Sequence, residues 1–303
     1  MASDTISVCD HGKLLVTEAF LPVLLHLGCA RFADIMAWPA QNVVRQFPGR
    51  TTVRVVLASA AGESVPVFLK RYEAGYLSAW RFLLRAIHWP GCADEAMREW
   101  RMLHGLRAQG FRTPAPLAVG QEKVWGVVAR SFVMTAELCQ AVPADKFLKQ
   151  CSRPQRRELA RRLGEMTRRF HRAGFVHKDY YLSHVFVAAD GREPELFLID
   201  LQRVTQPRLF PQRWRVKDLG ALAYSALKTG AAPTDLMRFY KVYAGVSKLT
   251  ARDKRLAGRI QRRVAWLCTR RPKHDTDFVP WAGPAAAAES NSRPDAVRGL
   301  PRP

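Results

Sequence analysis

The chain has 303 residues, which is enough for one large domain or two lobes with a sizeable apolar core. A hydrophobic fraction of 48% and a charged fraction of 24% are ordinary for a soluble globular protein. The 48 Lys and Arg residues against 26 Asp and Glu give a net charge of +22, which indicates an anionic partner, either nucleic acid or an acidic membrane surface, and argues against a cationic substrate.

The pattern of the cysteines does not resemble a zinc site or a disulfide framework. They are scattered without a C-x-x-C pair, so a reducing cytosol is the expected location. The six cysteines are Cys9, Cys29, Cys92, Cys139, Cys151 and Cys268.

Residues 1–40 are interpreted as an N-terminal extension that precedes the main domain. They begin with polar residues and lack the basic and then apolar start of a secretory signal. Their longest apolar stretch, residues 19–30, contains Pro22 and His26 and is too short to span a bilayer. This stretch is expected to form a core or surface helix.

Residues 41–138 are predicted to form a β-rich N-lobe. Apolar residues alternate from Val53 to Leu57, a turn follows at residues 61–63, and a second apolar run ends in Lys70. The predicted elements are strands at residues 53–57, 65–69, 115–119 and 124–133, and a helix at residues 94–109 that Gly110 ends.

Residues 139–283 are predicted to form a mainly helical C-lobe, so the whole chain is expected to have an α+β fold. The clearest helix begins after Ser152, a plausible N-cap, with Pro154 in its first turn. The predicted helices are residues 152–173, 214–228, 234–243 and 250–269. Residues 284–303 are rich in Pro, Ala, Ser and Arg without periodicity, and we expect a disordered tail there.

One short stretch between the predicted helices carries the chemistry. His177, Asp179 and His184 form the pattern H-x-D followed by four residues and a histidine, which has the layout of a protein-kinase catalytic loop. An Asp-Gly pair between two apolar runs then predicts a hairpin that ends in Asp200. Asp179 is placed to orient and deprotonate a hydroxyl, and Asp200 to bind a divalent cation. The pattern therefore predicts phosphoryl transfer, although an isolated H-x-D would be explained as the cap of a turn.

Lys70 ends a run, V-F-L-K, that has the shape of the kinase strand whose lysine contacts the α- and β-phosphates of ATP. It needs a glutamate partner on the following helix, for which Glu99 is the first choice and Glu95 the alternative. Residues 131–138 fall where a kinase hinge would lie. Their backbone could pair with an adenine edge, and a plain core strand explains the same residues.

The glycine-rich loop that covers phosphates in kinases is incomplete. A full G-x-G-x-x-G is absent, and only Gly49, Arg50 and Thr51 precede Lys70 as candidates to contact phosphate. An ordinary loop before a strand is the alternative explanation.

His184 occupies the position in which protein kinases carry a metal-binding asparagine, so His184 and Asp200 are the predicted metal ligands. Mg²⁺ prefers oxygen ligands, and imidazole matches it poorly. Three arrangements of His184 stay open: binding through water, a hydrogen bond to Asp200 or a phosphate, or tolerance of Mn²⁺.

Together these motifs resemble those of the bacterial lipopolysaccharide core heptose kinases, which typically read H-R-D-x-Y-x-x-H, then I-D-L-H-R, then R-x-x-K-D-L. The chain has H-K-D-Y-Y-L-S-H at residues 177–184, I-D-L-Q-R at residues 199–203 and R-W-R-V-K-D-L at residues 213–219. Looser matches extend the resemblance from about Gln46 to Leu227.

The resemblance implies a protein-kinase-like bilobal fold and ATP-dependent phosphorylation of a heptose hydroxyl in the inner core of lipopolysaccharide. The implied roles are Asp179 as base, Asp200 as metal ligand, Lys70 as phosphate ligand and Glu99 as its partner. It also implies that Asp218 holds the catalytic loop and that His184 is a family trait. Lys178 in place of Arg and Gln202 in place of His leave the acceptor open.

The resemblance also offers an explanation for the positive charge. Inner-core lipopolysaccharide carries carboxylates and phosphates at a membrane leaflet, so basic helices would concentrate the enzyme peripherally at the inner membrane, on its cytoplasmic side. Arg-rich residues 153–169 and 252–271 are the candidates. Two alternatives stay open: a related kinase that acts on protein tyrosine or a small molecule, and a nucleic-acid-binding pseudokinase.

Overall fold

The structure, a computed structural model, describes residues 5–39, 42–73, 94–188 and 194–269. Strands dominate the first half of these residues and helices the second, which confirms the predicted α+β bilobal fold. The predicted tail at residues 284–303, the Asp190–Gly191 turn and Cys92 lie outside the described residues.

A sheet of seven antiparallel strands forms the N-lobe. The strands are β1 (Ile6–Cys9), β2 (Leu14–Thr17), β3 (Val43–Phe47), β4 (Arg50–Ala58), β5 (Ser64–Glu73), β6 (Pro116–Val124) and β7 (Val127–Ala136), in the order β1-β2-β6-β7-β5-β4-β3. Because side chains alternate along a strand, Val67 and Leu69 of β5 lie on one face and contact an apolar cluster of the N-lobe. Lys70 and Tyr72 lie together on the other face of β5. Tyr72 belongs to the apolar cluster that also contains the core of the C-lobe.

The predicted N-terminal extension is part of this sheet. β1 pairs with β2, and β2 pairs with β6, so the sheet begins well before the predicted boundary. Helices α1 (Leu21–His26) and α2 (Phe32–Ala37) follow, and their buried residues Leu24 and Phe32 belong to the same apolar cluster as Leu69. The first residues thus complete the core of the N-lobe.

Helix α3 (Glu95–Ala108) packs against β6 and β7 and matches its prediction within one residue at each end. Asp94 caps it by accepting a hydrogen bond from the amide of Ala96 (3.1 Å), and also accepts one from the hydroxyl of Ser131 on β7 (2.6 Å). This double contact sets the position of the helix on the sheet. Glu99, one turn into the helix, is consequently buried against the sheet.

Helices and one small sheet form the C-lobe. The helices are α4 (Ala144–Gln150), α5 (Arg153–Arg172), α6 (Pro211–Lys228), α7 (Pro233–Ala244) and α8 (Ala251–Thr269), and the strands are β8 (Ala141–Pro143), β9 (Val185–Ala188) and β10 (Glu195–Leu198). Ser152 forms the predicted N-cap of α5, with a capping box to Gln155. α6 begins three residues before the predicted Trp214, because Pro211 needs no amide hydrogen in the first turn. No helix in the described residues combines the length and the apolar composition needed to cross a membrane.

Helices α5 to α8 line an apolar cavity of about 510 Å³. Leu159 and Leu163 of α5, Leu222 of α6 and Ile260 of α8 are among the side chains that line it. The cavity lies within the lobe that carries the catalytic loop.

Replacing Gly164 on α5 with alanine is expected to lower the free energy of unfolding by about 1–3 kcal/mol, because overpacking forces neighbours apart. A Cβ there would lie 2.9 Å from the carbonyl oxygen of Phe239 and 2.9 Å from the side chain of Val242 on α7. Gly258→Ala on α8 is the matched control, since a Cβ there would meet no atom within 4 Å. The control should stabilise the helix by about 0.5–1 kcal/mol. Urea unfolding would measure both, and equal effects would contradict the close approach of α5 and α7.

Candidate active site

The predicted catalytic loop lies between the end of α5 and the start of β9, and Asp218 of α6 holds its backbone. The carboxylate of Asp218 accepts hydrogen bonds from the amides of His177 (2.7 Å) and Lys178 (2.8 Å). Asp218 is fully buried. Lys178 has a φ of 70°, a left-handed conformation that costs a non-glycine residue about 1–3 kcal/mol. The contact implied for Asp218 is therefore confirmed, and it stabilises a strained loop.

His171 of α5 supports Asp218 from the other side. Its Nε2 lies 3.4 Å from Oδ2 of Asp218, and its Nδ1 lies 3.0 Å from the hydroxyl of Tyr243 on α7. With the carboxylate ionised, Nε2 carries the ring proton and Nδ1 accepts from the Tyr243 hydroxyl. Burial lowers the pKa of His171, although Asp218 opposes that shift. The imidazole is therefore neutral at neutral pH.

The free energy of unfolding is expected to fall as the pH drops from about 7.5 to about 5.5. The pKa of His171 is lower in the folded protein than in the unfolded chain, so the unfolded chain binds the proton first and its population grows as the pH falls. Urea unfolding across this range should show a weaker pH dependence for His171→Gln than for the wild type. His26→Gln, at an exposed histidine, should keep the wild-type dependence, and equal slopes in all three proteins would contradict the prediction.

His177 joins the loop to the chain segment that carries Asp200. Its Nε2 donates a hydrogen bond to the carbonyl of Ile199 (3.0 Å), and the amide of Ile199 donates to the carbonyl of His184 (3.1 Å). β9 and β10 form the predicted antiparallel hairpin between the two. These contacts bring Asp200 next to the catalytic loop, as the sequence predicted.

Lys70 of β5 contacts two carboxylates at the boundary between the lobes. Its Nζ lies 2.6 Å from Oε1 of Glu99 and 3.4 Å from Oδ1 of Asp200. Only 3% of the Glu99 side chain is exposed, against 15% for each of the other two. The structure thus brings together Lys70, its predicted first-choice partner Glu99 and the predicted metal ligand Asp200.

Asp200 adopts a left-handed conformation, with a φ of 56°, at the end of the hairpin. Burial alone would raise the pKa of this carboxyl group, but Lys70, His184 and Arg50 hold the pKa well below its usual range. Asp200 is therefore ionised at neutral pH and concentrates negative charge where a cation would bind.

His184 is oriented by the loop itself. Its Nδ1 lies 2.8 Å from the carbonyl oxygen of Asp179, which only accepts, so Nδ1 is the donor and Nε2 is left for another partner. Nε2 lies 3.8 Å from Oδ2 of Asp200, which is too far for a hydrogen bond. A backbone carbonyl that orients an imidazole in this way is typical of metal-binding histidines. In the described residues no group of three or more His, Cys, Asp and Glu could hold a metal, so phosphate and water would complete the coordination.

Arg203 is paired with the carboxylate of Asp179. Its Nη1 lies 2.9 Å from Oδ1 and 2.8 Å from Oδ2 of Asp179. The Arg203 side chain is 49% exposed and the Asp179 side chain 21%, so solvent and a substrate have access to both. An acceptor hydroxyl would meet this ion pair as it approaches Asp179.

The segment before Lys70 contributes one of its three predicted phosphate contacts to this cluster. Pro48 and Gly49 form the turn between β3 and β4, where Gly49 has the positive φ of 75° that a tight turn requires. Arg50 reaches the cluster, with Nη2 3.4 Å from Oδ1 of Asp200. Gly49 and Thr51 line a cavity of about 480 Å³, and neither Lys70 nor Asp200 lines it.

Most of the predicted hinge is a core strand. From Ser131 to Thr135 the backbone of β7 pairs with β5 on one side and with β6 on the other, the amide of Ala136 donates to the carbonyl of Ala115 (2.9 Å), and the amide of Glu137 donates to the carbonyl of Pro66 (3.0 Å). A strand that is paired on both sides has no open edge. The expectation that this whole segment could pair with adenine is therefore corrected for residues 131–136.

Two side chains at the site were not assigned a role from the sequence. Tyr72 places its hydroxyl 3.1 Å from Oε1 of Gln202 and 3.4 Å from Oε2 of Glu99, and it lies two residues after Lys70, a spacing that puts both on one face of β5. Arg203 contacts Asp179 across 24 residues of sequence, and no local pattern indicates that pairing.

Known proteins are similar to this chain in sequence. The model of the lipopolysaccharide kinase (Kdo/WaaP) family matches residues 41–243. The chain is 31% identical over 228 residues to the lipopolysaccharide core heptose(I) kinase WaaP of Escherichia coli (strain K12), across 72% of this chain and 83% of that protein. It is 34% identical over 157 residues to the protein of the same name from Pseudomonas aeruginosa, across 49% of this chain and 59% of that protein.

A solved structure described as WaaP in complex with acyl carrier protein has a similar fold. The TM-score is 0.63 at 26% sequence identity, and the match covers 84% of this chain and 98% of that chain. The range matched by the family model contains the whole charged cluster and the catalytic loop. The chain therefore belongs to the lipopolysaccharide kinase (Kdo/WaaP) family.

Proposed function

We propose that this kinase transfers the γ-phosphate of ATP to a heptose hydroxyl in the inner core of lipopolysaccharide. The names of the relatives support the acceptor. The observation that carries the proposal is the cluster of Lys70, Glu99 and Asp200 beside the loop that presents Asp179. Phosphoryl transfer needs such an arrangement, since its catalysis rests on positioning and charge. The pseudokinase alternative is not favoured, because these four side chains are all present.

Asp179 is the proposed base. It orients the acceptor hydroxyl and takes its proton while the hydroxyl oxygen forms a bond to the γ-phosphorus. The bond from that phosphorus to the bridging oxygen breaks, and ADP leaves with the electron pair. Lys70, which Glu99 positions, neutralises the α- and β-phosphates. Arg50, together with the backbone near Gly49 and Thr51, is proposed to contact the phosphates from the N-lobe side.

Asp200 and His184 would hold a divalent cation. When bound, the ion neutralises charge on the triphosphate. The ionised carboxylate of Asp200 fits Mg²⁺, which is the proposed ion, and the imidazole of His184, a nitrogen ligand, makes Mn²⁺ the alternative.

Labelled ATP, incubated with dephosphorylated core lipopolysaccharide, an aminoglycoside and a generic protein, tests the acceptor. Label is expected in the lipopolysaccharide and absent with Asp179→Asn. Glu63→Gln, an exposed change in the turn between β4 and β5, is the control that should keep full transfer. Transfer to the protein or to the aminoglycoside instead, or to no acceptor, would refute the proposal.

A membrane-surface role is proposed for the basic helices α5 and α8, with the enzyme peripheral on the cytoplasmic side of the inner membrane. Their arginines and the net charge of +22 support it. Sedimentation with vesicles of anionic lipid should carry the protein down at low salt and release it at high salt. Equal binding to neutral vesicles would refute this role.

We also propose residue 138 as the end of the N-lobe, since the shared sheet ends at Ala136.

An acyl carrier protein is a further proposed partner, because the similar solved structure contains one. The apolar cavity of about 510 Å³ supports this, since it would shield an acyl chain from water. Size-exclusion chromatography should show a complex with an acylated carrier protein and none with the unacylated form. Failure of both forms to bind would refute the partner.

A further inference from the structure

Two lysines beside the catalytic loop share one aromatic ring. Nζ of Lys178 lies 4.9 Å, and Nζ of Lys217 lies 5.5 Å, from the centre of the Trp214 ring on α6. Both side chains are half-buried. Neither forms an ion pair with a carboxylate of the described residues. The indole attracts each ammonium group only weakly, so it does not replace a counter-ion for this pair of like charges.

Arg203 adds a third positive charge at the same place. Burial lowers the pKa of Lys178 and of Lys217, and Arg203 is the charged neighbour that lowers each pKa most. The nearby carboxylate of Asp218 is already bonded to two backbone amides. Arg203 is paired with Asp179, which also favours the charged form of Lys217, but one carboxylate does not balance three cations, so the pocket that they form keeps an excess of positive charge.

The guanidinium of Arg203 meanwhile covers the proposed base. One nitrogen, Nη1, contacts both carboxylate oxygens of Asp179, at 2.9 and 2.8 Å. An acceptor hydroxyl must compete with Arg203 for these oxygens. A group that gives Arg203 another partner would remove this competition.

We propose that Lys178, Lys217 and Arg203 form an anion subsite for an oxyanion of the acceptor, a carboxylate or a phosphate, next to the hydroxyl that is phosphorylated. The bound oxyanion attracts Arg203 away from Asp179 and leaves the base free to meet the hydroxyl. The inference rests on the proposed function, because it specifies the acceptor of the same site. A neutral sugar lacks the oxyanion and is a poor acceptor for this reason.

Acceptor chemistry tests the anion subsite without changing the protein. Calorimetry would compare the binding of three core oligosaccharides to the wild-type enzyme: intact, carboxyl-reduced and dephosphorylated. Loss of the recognised oxyanion should weaken binding by about tenfold or more, the effect of one charge-assisted contact, and the affected oligosaccharide identifies carboxylate or phosphate. Equal affinity for all three would overturn the subsite.

Variants test which side chains form the subsite. Lys217→Ala should raise the KM for the intact acceptor by about tenfold while the KM for ATP stays unchanged, and Lys217→Arg should restore most of the affinity. Lys248→Ala, which removes an exposed lysine elsewhere in the C-lobe, is the control for net charge and should behave as the wild type. An equal loss in Lys248→Ala, or no loss in Lys217→Ala, would overturn the assignment.

The two proposals fail in different ways. Oxyanion-dependent binding without phosphate transfer would refute the proposed function and keep the subsite. Transfer to core oligosaccharide that ignores both oxyanions would keep the function and refute the subsite.

Discussion

Asp200→Asn is expected to lower kcat/KM by about 10³-fold or more, because it removes the charge that a cation and the transition state require. The ionised form of Asp200 is favoured by Lys70, Arg50 and His184, so the amide takes away a negative charge that faces all three. Lys70 keeps its contact with Glu99 at 2.6 Å, and we therefore expect the fold to survive. Steady-state transfer of labelled phosphate to core lipopolysaccharide measures the loss.

Glu63→Gln is the control for Asp200→Asn, since it removes one carboxylate from an exposed turn of the N-lobe, between β4 and β5. Circular dichroism should show native folding in both variants. A rate within about tenfold of the wild type in folded Asp200→Asn would contradict the role of the cluster.

Asp218→Asn is expected to lower the free energy of unfolding by about 3 kcal/mol and to reduce transfer strongly, because it affects a buried acceptor of three hydrogen bonds. The amide side chain keeps one acceptor oxygen and turns an NH₂ group towards the backbone amide of His177 or of Lys178. The strained loop then loses part of its support, and Asp179 with it. Urea unfolding and the transfer assay measure the two effects.

Asp253→Asn provides a comparison for this change. Asp253 also accepts a hydrogen bond from a backbone amide, that of Thr250 (2.9 Å), but it is only partly buried, at the start of α8. Water can replace its lost contacts, so its effect on stability should be clearly smaller. If the two variants lose equal stability, burial of Asp218 is not what makes it important.

Local chemistry explains why so many elements could be predicted. Asp94 and Ser152 cap their helices with their own side chains, and both helices lie within one residue of the predicted bounds. The order of Lys70, Glu99, Asp179 and Asp200 along the chain indicated a kinase site before any contact was known. The spacing of a motif within a few residues is enough to identify such groups.

Pairing across the chain was harder to predict. The N-terminal strands gave no local sign that β2 joins β6, because the register of a sheet depends on a partner about a hundred residues away. The residue types of the segment 131–136 do not distinguish a hinge with an open edge from a strand that is paired on both sides. Only the assembled sheet decides that.

The sequence by itself determined the kinase motifs, the fold class and the residues proposed for the phosphoryl-transfer chemistry. The tertiary structure decided how these residues meet: that Nε2 of His184 lies 3.8 Å from Asp200, that Arg203 covers Asp179, and that two lysines share one ring without a counter-ion. The physical reason is that a motif is defined by residue types a few positions apart in the chain, whereas the distances between side chains depend on how the helices and the hairpin pack.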